Sequence, residues 1–179
     1  MKIKELQFKK FISQAKIEKK TSDLGAQISV DYEGKTPLLL PVLNGSFMFA
    51  ADLIRAISIP CRVSFVKTSS YQGTQSTGQL KTLIGHEESV FNHDILIIED
   101  IVDSGLTLER IVEELRDRGA KSVEAVALLR KKGAREKGTE VKYVGFELES
   151  EFVVGYGLDY DGLGRNQRDI YKQSVAGEQ

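Results

Sequence analysis

Residues 97–107 read Ile97-Ile98-Glu99-Asp100-Ile101-Val102-Asp103-Ser104-Gly105-Leu106-Thr107. An apolar run that begins at Asp94 (DILII) ends in two acids, and a short turn of small and hydroxyl-bearing residues then opens into a helical pattern. Over 105–118, Leu108, Ile111, Val112 and Leu115 recur at the i, i+3, i+4, i+7 spacing of one helix face. Arg110/Glu114 and Glu114/Arg118 form i, i+4 pairs on the outer face, and Gly119 marks the stop. The first N–H groups of such a helix lack intrahelical partners and lie at the positive end of its dipole, so the turn suits a phosphate. Gly105 lets the backbone close around an anion, while Ser104 and Thr107 offer hydroxyls. The same residues could instead cap the helix, with Ser104 or Asp103 as N-cap and Glu109 in the first turns.

Working outward, the pattern repeats. Pro37–Leu43 (PLLLPVL) is continuously apolar, as in a strand buried on both faces. Ser46–Ile59 reads as a helix carrying Phe49, Leu53, Ile54 and Ile57 on one face, and Arg62–Lys67 as a second strand. Further strands are expected at Val123–Leu129, Tyr143–Phe146 and Phe152–Val154. Strands alternating with helices imply an α/β fold: a mostly parallel, twisted sheet flanked by helices, with right-handed crossovers. Residues 69–79 (SSYQGTQSTGQ) have almost nothing to bury and read as a long functional loop. The segment up to about residue 20 alternates charged and apolar residues, as a peripheral or interface helix would.

The chain has 179 residues, about one domain's worth. Its 25 Lys and Arg against 26 Asp and Glu give a net charge of −1, which argues against bulk binding of nucleic acid or anionic membrane. A single cysteine, Cys61, excludes an intramolecular disulfide and reads as a core thiol. The N-terminus has no apolar signal region and no run approaches the roughly 20 residues of a membrane span, so the protein is expected to be cytoplasmic. His86 and His93 lack metal-ligand spacing. The three acids beside the anion turn need a reason, because like charge is unfavourable there. A divalent cation, or ligand hydroxyls donating to the carboxylates, would supply one. No Gly-Lys-Ser/Thr follows the turn and no GxGxxG occurs, which excludes the P-loop and dinucleotide patterns.

The stretch Glu99–Thr107 resembles the phosphoribosyl pyrophosphate signature of the type I phosphoribosyltransferases. Three further segments narrow the likeness to the 6-oxopurine (hypoxanthine–guanine) branch. Leu43-Asn44-Gly45-Ser46-Phe47-Met48-Phe49 resembles its pyrophosphate loop. Ser69-Ser70-Tyr71 with Ser76-Thr77-Gly78 is similar to its flexible loop. Phe152-Val153-Val154-Gly155-Tyr156-Gly157-Leu158-Asp159-Tyr160, followed by Arg165-Asn166, is similar to its base-binding segment. The likeness spans about residues 36–172, with the four motifs in order.

The resemblance implies the type I phosphoribosyltransferase fold over residues 1–179, with a small hood built from the N-terminal helix and a C-terminal segment of about 143–172. It implies Mg2+-dependent attack of a purine N9 on ribose C1 with loss of pyrophosphate, through a transition state of oxocarbenium character. The implied roles are residue by residue. Asp103, Ser104, Gly105, Leu106 and Thr107 would bind the 5′-phosphate, with Asp103 also the general base at purine N7. Glu99 and Asp100 would meet the ribose hydroxyls, partly through magnesium, and Asp159 would ligate the metal with them. Lys131, in the basic trio Arg130-Lys131-Lys132, would select a 6-oxo over a 6-amino purine. Phe152 would stack on the base and Val153 would offer backbone groups to its edge. Asn44, Gly45 and Arg165 would meet pyrophosphate. Asn44 departs from the basic residue common there, leaving more of that task to backbone N–H groups. A cis peptide at Leu43–Asn44 is implied too. Ser70 and Tyr71 would close over the reaction and exclude water. The implied assembly is a homo-oligomer, a dimer or tetramer. The competing class is a non-catalytic regulator on the same fold that senses phosphoribosyl pyrophosphate or purines. Retention of Asp103, Lys131 and Phe152 and the absence of a basic excess oppose it.

Overall fold

The strand of the opening motif, β6 (Asp94–Val102), lies in the middle of a parallel sheet, between β3 (Leu38–Leu43) and β7 (Ser122–Lys131). The structure, a computed structural model, describes residues 1–67, 90–133 and 140–174. Beyond β3 stand two short pieces, β4 (Arg62–Val63) and β5 (Val66–Lys67), and beyond β7 stands β8 (Tyr143–Leu148). Every pairing in this sheet is parallel.

The apolar runs are continuous because both faces are covered. Leu39, Leu96, Ile98, Val126 and Leu128 pack with α1 (Gln14–Asp31) and α2 (Phe47–Ala56). Their alternating neighbours Leu38, Leu40, Ile95, Ile97, Ala125 and Ala127 pack with α3 (Leu106–Asp117) on the other side. Period-two alternation thus divides one apolar run between two cores. In a parallel α/β sheet of this kind, ligand sites form outside the carboxyl ends of the strands, where β3, β6 and β7 all deliver their loops.

A second sheet, antiparallel in the order β1-β2-β10-β9, forms the hood from both chain ends: β1 (Lys2–Ile3), β2 (Leu6–Ile12), β10 (Ile170–Gln173) and β9 (Val153–Val154). It has a small core of its own around Ile3, Phe8 and Val154.

Several expectations are corrected. The N-terminal segment is not a helix up to residue 20: residues 2–12 form two strands, and α1 starts only at Gln14. Its mixed charged and apolar pattern suits either element, and the choice is made by β10, whose Gln173 faces Phe8. The hood takes its C-terminal share from β9 and β10 and not from residue 143 onward, because β8 pairs in parallel with β7 in the main sheet. The expected strand over 62–67 is split into β4 and β5, and α2 ends at Ala56. No described helix is long and apolar enough to cross a membrane.

Candidate active site

Strand β6 carries Glu99 and Asp100 to the carboxyl end of the sheet, and Gly105 turns the chain into α3. Gly105 is the N-cap, at φ 80°, a left-handed conformation that favours glycine. No side chain caps the helix. Ser104 Oγ accepts only a long hydrogen bond from the Leu106 N–H, at 3.4 Å. The capping alternative, with Ser104 or Asp103 as N-cap, is therefore not the one adopted, and the turn keeps backbone donors for a ligand. A cavity of about 90 Å3 sits over it, lined by Glu99, Asp103, Ser104, Gly105 and Thr107 together with Ile101, Val102 and Leu108. Leu106 is exposed at the helix start.

A second cavity, of about 240 Å3, is lined by Asp100, Ile101, Asp103, Lys131, Glu151, Phe152, Val153, Leu158 and Asp159. Lys131 is the last residue of β7, and its Nζ lies 2.9 Å from Asp103 Oδ2. Its neighbours turn away: Arg130 pairs with Glu147 and Lys132 with Glu149. Strand alternation thus singles out one lysine of the trio for the cavity. Phe152 presents a ring that is 41% exposed, whereas Val153 is buried in β9.

The two cavities share Ile101 and Asp103. Asp103 thus stands where a group bound at the helix turn would meet one bound beside Lys131 and Phe152.

The carboxylates are unequal. Burial, with Asp100 as the neighbouring charge, pushes Glu99 well above the usual carboxylate range. Burial also raises Asp100; backbone hydrogen bonds and Arg165 oppose the shift, and Asp159 adds to it. Asp159 is engaged on both oxygens, by Arg165 at 2.6 Å and by the Gly162 N–H at 2.7 Å. Arg165 also donates to the Gly157 carbonyl at 2.6 Å. Gly45 is wedged in the same place. A Cβ there would fall 1.7 Å from Asp100 Oδ2, and the Gly45 carbonyl lies where a Cβ on Gly157 would be, 2.1 Å away. The loop after β3, the acids of β6 and the C-terminal segment therefore close on one another without side chains between them. Asn44 is exposed in that loop, and the Leu43–Asn44 peptide is cis.

Glu99 lines the first cavity, whereas Asp100 and Asp159 line the second. No group of three or more candidate ligands is gathered for a metal among the described residues. Ser70 and Tyr71, His86 and the loop of 69–79 lie outside the described residues. Sequence reading passed over Glu151, Leu158 and Ile101. The apolar pair carries no chemical signal, and Glu151 could be suspected only from its place beside Phe152.

Comparison with known proteins shows the family of the chain. The phosphoribosyl transferase domain matches residues 10–161. A hypoxanthine-guanine phosphoribosyltransferase of Bacillus subtilis is 45% identical over 159 residues, 88% of either chain. The chain belongs to the hypoxanthine–guanine phosphoribosyltransferase family. A solved hypoxanthine phosphoribosyltransferase of Staphylococcus aureus superposes with a TM-score of 0.85 at 41% identity, covering 95% of this chain and 92% of that one. A hypoxanthine-guanine phosphoribosyltransferase of Bacillus anthracis does so with a TM-score of 0.84 at 34% identity, over 96% and 99%. As a phosphoribosyltransferase, the protein is a transferase of purine salvage on the type I fold. The regulator alternative is not favoured.

Proposed function

We propose that this phosphoribosyltransferase moves the 5-phosphoribosyl group of phosphoribosyl pyrophosphate to N9 of hypoxanthine or guanine, releasing pyrophosphate and IMP or GMP. The observation that carries the assignment of roles is the meeting of two cavities at Asp103, one floored by a helix N-terminus and the other walled by Lys131 and Phe152. The N–H groups of the turn at residues 104–107 hold the 5′-phosphate. Glu99 and Asp100 accept hydrogen bonds from the ribose hydroxyls. Phe152 stacks on the purine, the Val153 backbone meets its edge, and Lys131 donates to O6. Adenine offers a donor at that position and leaves the ammonium unpaired. Asp103, at the border, accepts the N7 proton as N9 bonds to C1, while Asn44, Gly45 and Arg165 receive the departing pyrophosphate. In the free protein Lys131 and Asp103 satisfy each other at 2.9 Å, and the 6-oxopurine takes up both groups.

Magnesium fits the donor set. It characteristically takes one or two carboxylates and completes its shell with water and substrate phosphates, so a preassembled cluster of protein ligands is not required. Asp100, raised by burial and by the nearby Asp159, is a carboxylate suited to a cation, and Asp159 would hold the ion with it and with Glu99 behind. When bound, magnesium supplies neutralising charge to the pyrophosphate. Asp159 and Arg165, paired in the free protein, would turn to the cation and the anion respectively. We read the compartment as cytoplasmic, the assembly as a dimer or tetramer, and nucleic acid as no partner.

An ultraviolet assay with phosphoribosyl pyrophosphate, magnesium and each of hypoxanthine, guanine, xanthine and adenine tests this reading. Turnover is expected with hypoxanthine or guanine and not with adenine. Silence with both 6-oxopurines, or equal rates with adenine, would overturn it.

A further inference from the structure

Residues 1–12 supply no group to either cavity, yet they bear on the ring that faces the base. Phe152 is an exposed aromatic side chain, and such a side chain loses rotamer freedom when a ligand stacks on it. Here it is braced from two sides. The buried Phe8 ring of β2 lies at 6.1 Å with a tilt of 45°, and Tyr160 meets it edge-on at 5.8 Å and 89°. The edge-on arrangement with Tyr160 is the one favoured by the ring quadrupole.

Tyr160 is itself held. Its hydroxyl donates to the carboxylate of Glu5, in the turn between β1 and β2. Lys4, next to Glu5, pairs with Asp161, next to Tyr160. Lys4 and Asp161 both adopt left-handed backbone conformations, φ 52° and 51°, so two tight turns meet and are joined by two adjacent links. Tyr160 also closes its own turn through paired backbone hydrogen bonds with Leu163 at 3.0 and 3.1 Å.

We infer that Tyr160, anchored by Glu5 of the N-terminal hairpin, is a positioning residue that holds Phe152 in its base-stacking orientation. The hairpin is then part of the purine site although it touches no substrate. This inference rests on the reading of the Lys131–Phe152 cavity as the purine site. A purely architectural role for the Tyr160–Glu5 link would affect both substrates alike, or neither. A positioning role affects the purine alone.

The test is steady-state kinetics on the full chain with hypoxanthine and phosphoribosyl pyrophosphate varied in turn. Tyr160→Phe keeps the ring but loses the hydroxyl, and is expected to raise KM for hypoxanthine about fivefold, the effect of one charge-assisted hydrogen bond at a partly exposed site. KM for phosphoribosyl pyrophosphate and kcat should stay as they were. Glu5→Ala should give the same rise, and Glu5→Gln, whose amide oxygen still accepts the phenol though without charge, should reverse most of it. The double variant Y160F/E5A should be no worse than either single change, since both remove one link. An unchanged KM for hypoxanthine in Y160F and E5A, or an equal rise in KM for both substrates, would overturn the inference while leaving the purine-site reading standing. If the unmutated protein turned over neither hypoxanthine nor guanine, that reading would fall and the inference with it.

Discussion

The two halves of the proposed site, one for the 5′-phosphate and one for the purine, are built in opposite ways. The phosphate half is contained in Glu99–Leu108, a single strand, turn and helix start, and its working groups are largely backbone N–H donors. The purine half gathers Asp100 and Ile101 from β6, Asp103 from the turn after it, Lys131 from the end of β7, and residues from the 151–159 segment that contains β9, and its working groups are mostly side chains. Backbone donors at a helix terminus come with the turn itself and tolerate changes around them. Side chains converging from three places depend on every element that aims them. The phosphate half should therefore resist remote substitutions that the purine half feels.

The largest expected effect falls at the border of the halves. Asp103→Asn should lower kcat by about 10²–10⁴, the usual worth of a general base, with little loss of melting temperature because the side chain is exposed. Unimpaired turnover would remove the base and dissolve the junction on which the comparison rests. Next comes Lys131→Met, which should cost about 10–100-fold in kcat/KM for hypoxanthine, the worth of a charged hydrogen bond, and narrow the preference over adenine. Phe152→Ala should raise KM for the purine about tenfold by loss of stacking while KM for phosphoribosyl pyrophosphate holds. If both constants rose together, the halves would be one unit and the comparison would break.

The smallest effect sharpens the phosphate half. Folding raises the Glu99 carboxyl above its ordinary value of 4.5. The folded state therefore holds this proton more tightly than the unfolded chain does. Below about pH 4 both states are protonated and the site costs nothing; as pH rises through the folded value, stability is lost. Glu99→Gln should thus melt higher than the parent near pH 8, by about 2–4 °C for each kcal/mol, and the gap should close toward pH 4. Binding of phosphoribosyl pyrophosphate should weaken in the same variant. A gap independent of pH would show that burial of charge is not its origin.

Legibility in the sequence follows the same division. The parallel sheet and α3 could be read because strands buried on both faces leave unbroken apolar runs, and a one-sided helix leaves a 3.6-residue period. Residues 99–107 could be read because their geometry is local. The N-terminal hairpin could not, since β2 becomes a strand through pairing with β10, and the only sequence signals were mixed charge and apolarity. Nor could the residue pairs Phe8–Phe152 and Glu5–Tyr160 be read, which span almost the whole chain.

The amino-acid sequence by itself determined the α/β class, the turn that opens α3 and the identities of the acids, lysine and aromatic to which the proposed chemistry is assigned, because each is encoded within one element or one motif. Only the tertiary structure decided that Asp103 and Lys131 meet, that Gly45 must lie bare against Asp100, and that Phe8 of the N-terminal hairpin packs on the Phe152 ring. Those outcomes depend on contacts between elements remote in sequence, where burial and hydrogen bonding are settled by the partner and not by the neighbouring residues.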